Sequence, residues 1–370
     1  MMEDGKPIVV AGPCSVESLG QLRAVATALA QMPQVAMVRC GVWKPRTRPG
    51  GFEGWGEEAL RWIAEVAGEL DGQGRKLRFA CEVARPEHVQ AALRYGLEGV
   101  WIGARTTANP FMVQELAEAM RGSGLAVMVK NAPSPDVRLW IGAIERCRQA
   151  GLTDVMAVHR GFDVLRNGGY RNHPLWEVPI ELRRAMPEVP IITDPSHIAG
   201  CRELLPEVAR TALDLGFDGL MVEVHPRPEE ALTDARQQIT PKGLERLLAT
   251  LVLRRTDSTE ADEQLRLLRG RIDRLDDQLL RLLAARLEVC GEIAQVKAQG
   301  NLAVFQPKRW DALLRQRMAE AGELGLAEDF VKEIFEKIHA ESVRVQKTLM
   351  DRQAEACPQK GDLEGQQNPE

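Results

Sequence analysis

Between residue 8 and about residue 250 the chain repeats one pattern: a short apolar, β-branched run followed by a stretch of helical periodicity. The runs are Ile8–Ala11, Met37–Val42, Leu77–Val83, Gly99–Ile102, Leu125–Val129, Asp154–Val158, Ile191–Thr193 and Gly219–Val224. Amphipathic segments such as Leu60–Leu70 and Glu87–Tyr95 lie between them. Repeated strand–helix units imply a parallel sheet with right-handed crossovers. Eight units within roughly 245 residues match a closed (β/α)8 TIM barrel better than an open doubly wound sheet. No Gly-x-Gly-x-x-Gly follows the first run, which lowers a dinucleotide-binding reading.

A barrel of this kind carries its active site at the C-terminal ends of the strands. Those ends read Cys14, then Lys44 with Arg46 and Thr47, Glu82, Arg105, Lys130 with Asn131, His159 with Arg160, Asp194 with His197, and Glu223 with His225. Each delivers a reactive or charged group, which chance would not arrange. Cys14, His197 and Glu223, with Asp234 on the loop after the last run, make a plausible metal set of one thiolate, one imidazole and two carboxylates. Such mixed ligation suits a divalent Mn, Fe, Co or Zn ion better than Mg. A lone cysteine is more often a small buried hydrophobe, and a lone aspartate is usually just solvated, so the set carries the reading. Arg39, Lys44, Arg46, Arg105, Lys130 and Arg160 would repel one another at one barrel mouth unless anions filled it. Guanidinium forks suit phosphate and carboxylate. The barrel is therefore expected to bind one or two phosphorylated acids beside a metal.

The formal net charge of -5 argues against a general nucleic-acid binder. Seven cysteines are scattered with no Cys-x-x-Cys pair, the pattern of free thiols in a reducing cytoplasm. The N-terminal apolar run is too short for a signal-peptide core, and no apolar stretch approaches the ~18 residues that span a bilayer. The expectation is a cytoplasmic protein with no membrane partner.

After the polar segment 254–264 the period changes. Leu265, Leu268, Ile272, Leu275, Leu279, Leu282, Val289, Ile293 and Val296 follow a 3-4 spacing, the mark of a long amphipathic helix. Helical stretches near Gln306–Ala321 and Ala327–Met350 follow. Apolar spacing alone favours a dimerising helical hairpin. Arg286 interrupts that seam, and an unpaired charge there would cost several kcal/mol. Lys297 falls near the same face about three turns later. Ser342 and Gln346 stand four apart on the last stretch, so a polar pocket within the bundle is expected. The predicted organisation is a barrel over 1–253, a linker at 254–264, a helical domain over 265–352 and a disordered tail at 353–370.

GPCSVE at 12–17, KPRT at 44–47, GEEAL at 56–60, GAR at 103–105, VKN at 129–131, HRG at 159–161, DPSH at 194–197 and VEVHP at 222–226 occur in order. Together they resemble 3-deoxy-D-arabino-heptulosonate 7-phosphate (DAHP) synthase of the type I beta group. The resemblance implies an aldol-like condensation of phosphoenolpyruvate with erythrose 4-phosphate. It implies Cys14, His197, Glu223 and Asp234 as metal ligands, and Arg39, Lys44, Arg105, Lys130 and Arg160 as the phosphoenolpyruvate site. Arg46 and Thr47 would hold erythrose 4-phosphate, and Lys44 is a candidate proton donor. A related sugar-acid synthase uses arabinose 5-phosphate instead, but that family carries a different segment where KPRT stands. The DAHP synthase family often has a regulatory extension before its first strand. Here the first run starts at Ile8, which directs any regulation to the C-terminal region.

LRGRIDRLDDQLLRLLAARLEV at 268–289, AQVK at 294–297 and ESVRVQ at 341–346 resemble the all-helical chorismate mutases. That resemblance implies Arg269, Arg286, Lys297, Gln306, Arg309, Ser342 and Gln346 as residues binding chorismate or prephenate. Arg269 would reach over from a partner chain in a homodimer formed through the helices. Arg286, Lys297 and Gln346 would be catalytic. The family usually has a glutamate after the arginine that Arg309 matches; here it is Trp310. The combined expectation is a bifunctional enzyme with feedback of chorismate or prephenate on the barrel. The alternative is a synthase whose helical part only dimerises and binds an effector.

Overall fold

In the computed structural model, residues 7–44, 50–165, 168–252 and 262–356 are described, with side chains from 265 to 352 in the last stretch. The chain divides into two compact units, Met1–Asp257 and Ser258–Glu370.

The first unit is a closed barrel of eight parallel strands in sequential order. They are β1 (Ile8–Gly12), β2 (Val35–Cys40), β3 (Arg78–Val83), β4 (Gly99–Ile102), β5 (Ala126–Lys130), β6 (Val155–His159), β7 (Ile191–Thr193) and β8 (Gly219–Glu223). β1 pairs with both β2 and β8, which closes the ring and removes sheet edges. Each strand falls on one of the apolar runs. β2 stops at Cys40, two residues before the expected end. A Cβ on Gly41 would lie 1.8 Å from Cys14 O, so the chain leaves the sheet there and packs against the end of β1. Gly41 O accepts from Val16 N at 2.9 Å.

Several of the barrel's helices start where polar side chains satisfy the first free N–H groups. Ser18 Oγ accepts from Gln21 N, Asn109 Oδ1 from Phe111 N, and Thr240 Oγ1 from Gly243 N. Their apolar faces pack on the outside of the barrel in one large core that includes Leu22, Leu60, Ile63, Trp140 and Leu244.

The barrel interior is a separate core with one layer that decides the site. Val10, Met37, Ala80, Trp101, Met128, Val158, Ile192 and Met221 meet inside the ring. Side chains on a strand face the same side every second residue. Two residues on, at the C-terminal rim, stand Gly12, Arg39, Glu82, Gly103, Lys130, Arg160, Asp194 and Glu223. Strand period therefore carries the chain from an apolar plug to a charged floor in one step. The two glycines make room for the large neighbours. A Cβ on Gly12 would meet Arg39 O at 2.2 Å, and one on Gly103 would meet Glu82 Oε1 at 2.1 Å.

Among its described residues the second unit has three helices, Asp262–Gln299, Pro307–Glu323 and Glu328–Ala356. The first begins inside the segment expected to be a linker. The last runs through Ala356, so the expectation of disorder from 353 is corrected for its first four residues. Nothing between Glu328 and Ala356 is proline or glycine, and the helix continues through that polar sequence. Residues 357–370 lie outside the described residues. Cys290, Ala294, Ala321, Val331, Ser342 and Gln346 are buried within the unit, whereas Leu275, Leu279 and Leu282 are 55%, 55% and 67% exposed. The apolar seam read from the sequence is thus not the face this chain buries against itself. No helix among the described residues is long and apolar enough to cross a membrane.

Candidate active sites

A cavity of about 500 Å³ opens at the C-terminal rim of the barrel, lined among others by Cys14, Lys44, Glu82, Arg105, Lys130, Arg160, Arg171, His197 and Asp234. Residues from separate strand ends thus reach one space, as the sequence pattern requires. Arg46 and Thr47 lie outside the described residues.

Cys14 Sγ, a Glu223 carboxylate oxygen and an Asp234 carboxylate oxygen lie within 4.8 Å of one another. Asp234 reaches them because the segment after β8 folds back along the strand. His225 N donates to Ile239 O and Ile239 N donates to Glu223 O. Asp234 itself sits at φ +50°, in the left-handed region. Leu232 N donates to Glu17 Oε1 at 2.8 Å, and the hydroxyls of Ser15 and Thr233 share a hydrogen bond, tying this loop to the end of β1. His197 stands at the edge of the trio, its Nε2 3.8 Å from Glu223 Oε1. Its Nδ1 is 2.8 Å from Asp194 Oδ2 but off the line of a hydrogen bond.

The donor set fits a divalent cation. Burial, with Glu223 and Asp234 nearby, pushes the Cys14 thiol up to about 12. Glu223 Oε1 is buried without a hydrogen-bond partner. A buried thiol crowded by two carboxylates, one of whose oxygens has an ion-pair partner but no aligned hydrogen bond, is what a cation would relieve. Thiolate, imidazole and carboxylate together suit Mn, Fe, Co or Zn.

Cations surround this cluster. Arg39 is 1% exposed and lies beneath the cavity, with Nη2 3.0 Å from Glu223 Oε1, Nη1 3.8 Å from Asp194 Oδ2, and its guanidinium 5.2 Å from the Trp101 ring centre. Its Nε and Nη1 have no hydrogen-bond acceptor. Lys130 Nζ donates to Asp194 Oδ2 at 2.8 Å. Burial lowers the Lys130 ammonium, although Asp194 opposes that. Burial likewise brings Arg160 down to about 10, and Arg171 and Arg105 add to the effect against Asp194. Lys44 Nζ donates to Cys14 Sγ at 3.2 Å. Burial would raise the Asp194 carboxyl, but His197, Lys130 and Arg39 together hold it well below the carboxylate range.

The structure adds residues to which the sequence reading gave no role. Asp194 is the hub of the buried ion pairs. Trp101 Nε1 donates to Glu82 Oε2 at 3.1 Å and aims that carboxylate at the cavity. Asn131 Oδ1 accepts from Arg160 N at 2.7 Å. Arg171 pairs with Asp234 Oδ1 at 3.0 Å, and Gln237 touches both Glu223 and Asp234. Glu82, Asp194 and Asn131 stand at strand ends, which is their only sequence signal. Arg171 and Gln237 sit in loops with none.

In the helical unit Arg286 Nη1 donates to Ser342 Oγ at 2.5 Å, and Lys297 Nζ donates to Gln346 Oε1 at 3.0 Å. These four expected residues thus meet as two pairs, each across the first and third helices. Ser342 Oγ also donates to Ile338 O at 2.7 Å, which fixes its lone pairs toward Arg286. Trp310 stacks on His339 with ring centres 4.0 Å apart and an interplanar angle of 18°. His339 lies one turn before Ser342, and burial together with Arg286 and Lys297 lowers its imidazole. Gln306 and Arg309 are exposed at the start of the second helix, and no hydrogen bond or ion pair among the described residues joins them to the four. Arg269 is exposed on the same helix as Arg286. At 1.5 Å per residue the two are about 25 Å apart, so they cannot share one site within a chain.

A family model described as the DAHP synthetase I family matches residues 2–259, and one described as chorismate mutase type II matches residues 268–347. The phospho-2-dehydro-3-deoxyheptonate aldolase of Thermotoga maritima is 29% identical over 231 residues, covering 62% of this chain and 64% of that protein. The T-protein of Haemophilus influenzae is 36% identical over 80 residues, covering 22% of this chain and 21% of that protein. The chain thus spans less than two thirds of the length of either curated relative. A crystal structure of phospho-2-dehydro-3-deoxyheptonate aldolase (DAHP synthase) from Thermotoga maritima superposes with a TM-score of 0.58 at 27% identity, covering 66% of this chain and 68% of that one.

Proposed function

The chain belongs to the DAHP synthetase I family and carries a chorismate mutase type II segment behind that module, and on this premise we propose a bifunctional cytoplasmic enzyme of aromatic amino acid biosynthesis. Its barrel condenses phosphoenolpyruvate with erythrose 4-phosphate to DAHP. Its helical unit rearranges chorismate to prephenate. The observation that carries the first activity is one cavity lined by Cys14 and Asp234, which lie within 4.8 Å of each other and of the buried Glu223, and walled by Lys44, Arg105, Lys130 and Arg160.

Cys14, His197, Glu223 and Asp234 would hold a divalent ion, which supplies Lewis-acid polarisation of the aldehyde when bound. Arg105, Lys130 and Arg160 line the cavity, and Arg39 lies below it with unpaired N–H groups. These groups hold the phosphate and carboxylate of phosphoenolpyruvate and fix its methylene carbon toward the aldehyde. The methylene carbon forms the new C–C bond, water adds to the resulting cationic carbon, and phosphate leaves. Lys44 Nζ stands beside the cluster and is the candidate to protonate the new alkoxide. Arg46 and Thr47 would take the phosphate of erythrose 4-phosphate.

In the helical unit Arg286, with Arg269 from a second copy, would clamp the two carboxylates of chorismate. Lys297 and Gln346 would stabilise the ether oxygen as charge develops there; no covalent step is needed. The exposed leucine stripe and the ~25 Å between Arg269 and Arg286 support a homodimer formed through the helices. Trp310, stacked on His339 where the mutase family usually has a glutamate, favours a second reading. In it the helical pocket serves mainly to sense chorismate or prephenate and to lower barrel activity. Synthase rates unchanged by saturating prephenate would end that reading.

The barrel assignment is tested by product analysis with phosphoenolpyruvate and either erythrose 4-phosphate or arabinose 5-phosphate. One phosphate released per phosphoenolpyruvate, with the four-carbon sugar strongly preferred, is expected. Preference for arabinose 5-phosphate would move the enzyme to the related sugar-acid synthases.

A further inference from the structure

We propose that Gln237 is a positioning residue for the barrel's cation site: its amide selects which oxygen of Glu223 faces the ion and sets the tilt of Asp234. The proposal rests on the reading that Cys14, Glu223 and Asp234 hold a divalent cation.

Gln237 is 1% exposed, and both ends of its amide are committed. Nε2 donates to Glu223 Oε2 at 2.6 Å and to Asp234 Oδ2 at 3.4 Å. Oε1 accepts from Arg171 Nη1 at 2.7 Å. Arg171 Nη1 also lies 3.0 Å from Asp234 Oδ1. The orientation of the amide follows from chemistry. A guanidinium only donates and ionised carboxylates only accept, so the oxygen must face Arg171 and the nitrogen must face the acids.

This has a consequence for the cluster. Oε2 of Glu223 is occupied by Gln237, while Oε1 makes no hydrogen bond and lies 3.0 Å from Arg39 Nη2 and 3.8 Å from His197 Nε2. The amide holds Oε2 away from these two groups, so Oε1 is the oxygen turned to the side from which an ion would be met. Asp234 is held from two sides, by Arg171 on Oδ1 and Gln237 on Oδ2. Its strained backbone at φ +50° is thus matched by fixed side-chain contacts. Arg202 anchors the same loop differently, donating to Gln238 O and Ala235 O at 2.7 Å each without touching a ligand side chain. Partners that hold ligating carboxylates typically change metal affinity about 10–100-fold when removed.

The experiment uses full-length protein freed of metal and titrated with Co²⁺. Affinity is read by chelator competition, and ligand geometry by the cobalt–thiolate absorption of Cys14. Gln237→Met removes the amide, Gln237→Asn shortens it, and Arg202→Met loosens the loop alone. The expected result is a 10–100-fold weaker Co²⁺ affinity and an altered thiolate band in both Gln237 variants, with Arg202→Met within threefold of wild type. Gln237→Asn alone suffices if Gln237→Met does not fold. Unchanged affinity and spectrum in Gln237→Asn would overturn the proposal. So would an equal loss in Arg202→Met, because loop anchoring would then explain the effect. Failure of the wild type to bind Co²⁺ would instead remove the cation site itself.

Discussion

The barrel and the helical unit both gather cationic side chains, but they hold them differently. In the barrel, Arg39 and Lys130 are buried against Asp194 and Glu223, themselves fully buried. Eight strand ends converge, so the described lining of the cavity comes from residues that one chain brings together. In the helical unit, Arg286 and Lys297 donate to Ser342 and Gln346, and no ion pair with a carboxylate is found for either among the described residues. The leucines beside them are exposed, and Arg269 is out of reach on the same helix. A closed sheet can complete a site alone, whereas a helical hairpin leaves one side open. The barrel site is therefore expected to tolerate little change among its buried ions, and the helical site to depend on assembly.

The comparison sharpens most at the cation cluster. Replacing Asp234 or Glu223 by Ala should lower synthase turnover on the order of 10³-fold or more and leave chorismate rearrangement within twofold. Parallel assays on each variant read this; equal losses in both reactions would mean that the two sites are not separate. Next, Arg286→Ala should lower chorismate turnover about 10²–10³-fold while the proposed dimer survives, since its partner Ser342 keeps its bond to Ile338 O. Sedimentation alongside the rate assay checks both halves.

A smaller effect concerns acid. His159 is buried among Trp140, Phe162, Trp176 and Phe217, and its Nε2 donates to Pro174 O at 2.7 Å. Burial brings its imidazole down to about 3. The folded value lies below the unfolded value of about 6.5, so the unfolded chain takes up the proton first. Stability from this group is complete above that unfolded value and is lost as pH falls toward 3. Between pH 7 and pH 5 the loss amounts to about 2 kcal/mol. Urea unfolding of wild type and His159→Gln at both pH values measures it; an identical pH dependence in the two proteins would refute it. Least of all, Trp310→Glu should cost about 1 kcal/mol of stability through the lost stack on His339. The same change should raise chorismate turnover about tenfold, by restoring one hydrogen bond to the substrate hydroxyl. Melting and turnover of that variant decide between a weakened mutase and a sensor.

These regions also differ in how far they were legible. Strand runs from Ile8 to Val224 announce the barrel because a parallel strand buried on both faces must be apolar throughout. Cys14, Lys44, Arg105, Lys130, Arg160 and His197 stand at the ends of those runs, where position alone marks them. Asp194 stands at a run's end too, and the structure makes it the cap of the short helix that follows, accepting from His197 N at 3.0 Å. Its role as the hub for Arg39 and Lys130 depends on three separate strands meeting. Arg171 and Gln237 act through each other across 66 residues of sequence, a contact no local pattern encodes. In the helices, the spacing of Arg286, Lys297, Ser342 and Gln346 was readable because helical period places them. The Trp310–His339 stack joins two helices and was not.

The most direct test of the account is a single preparation of the full chain assayed twice, with and without a chelator. Phosphoenolpyruvate consumption with erythrose 4-phosphate is expected to stop when the cation is removed and to return when Mn²⁺ or Co²⁺ is restored, while chorismate consumption is unaffected throughout. Phosphoenolpyruvate consumption that persists in excess chelator would contradict the assignment of Cys14, His197, Glu223 and Asp234.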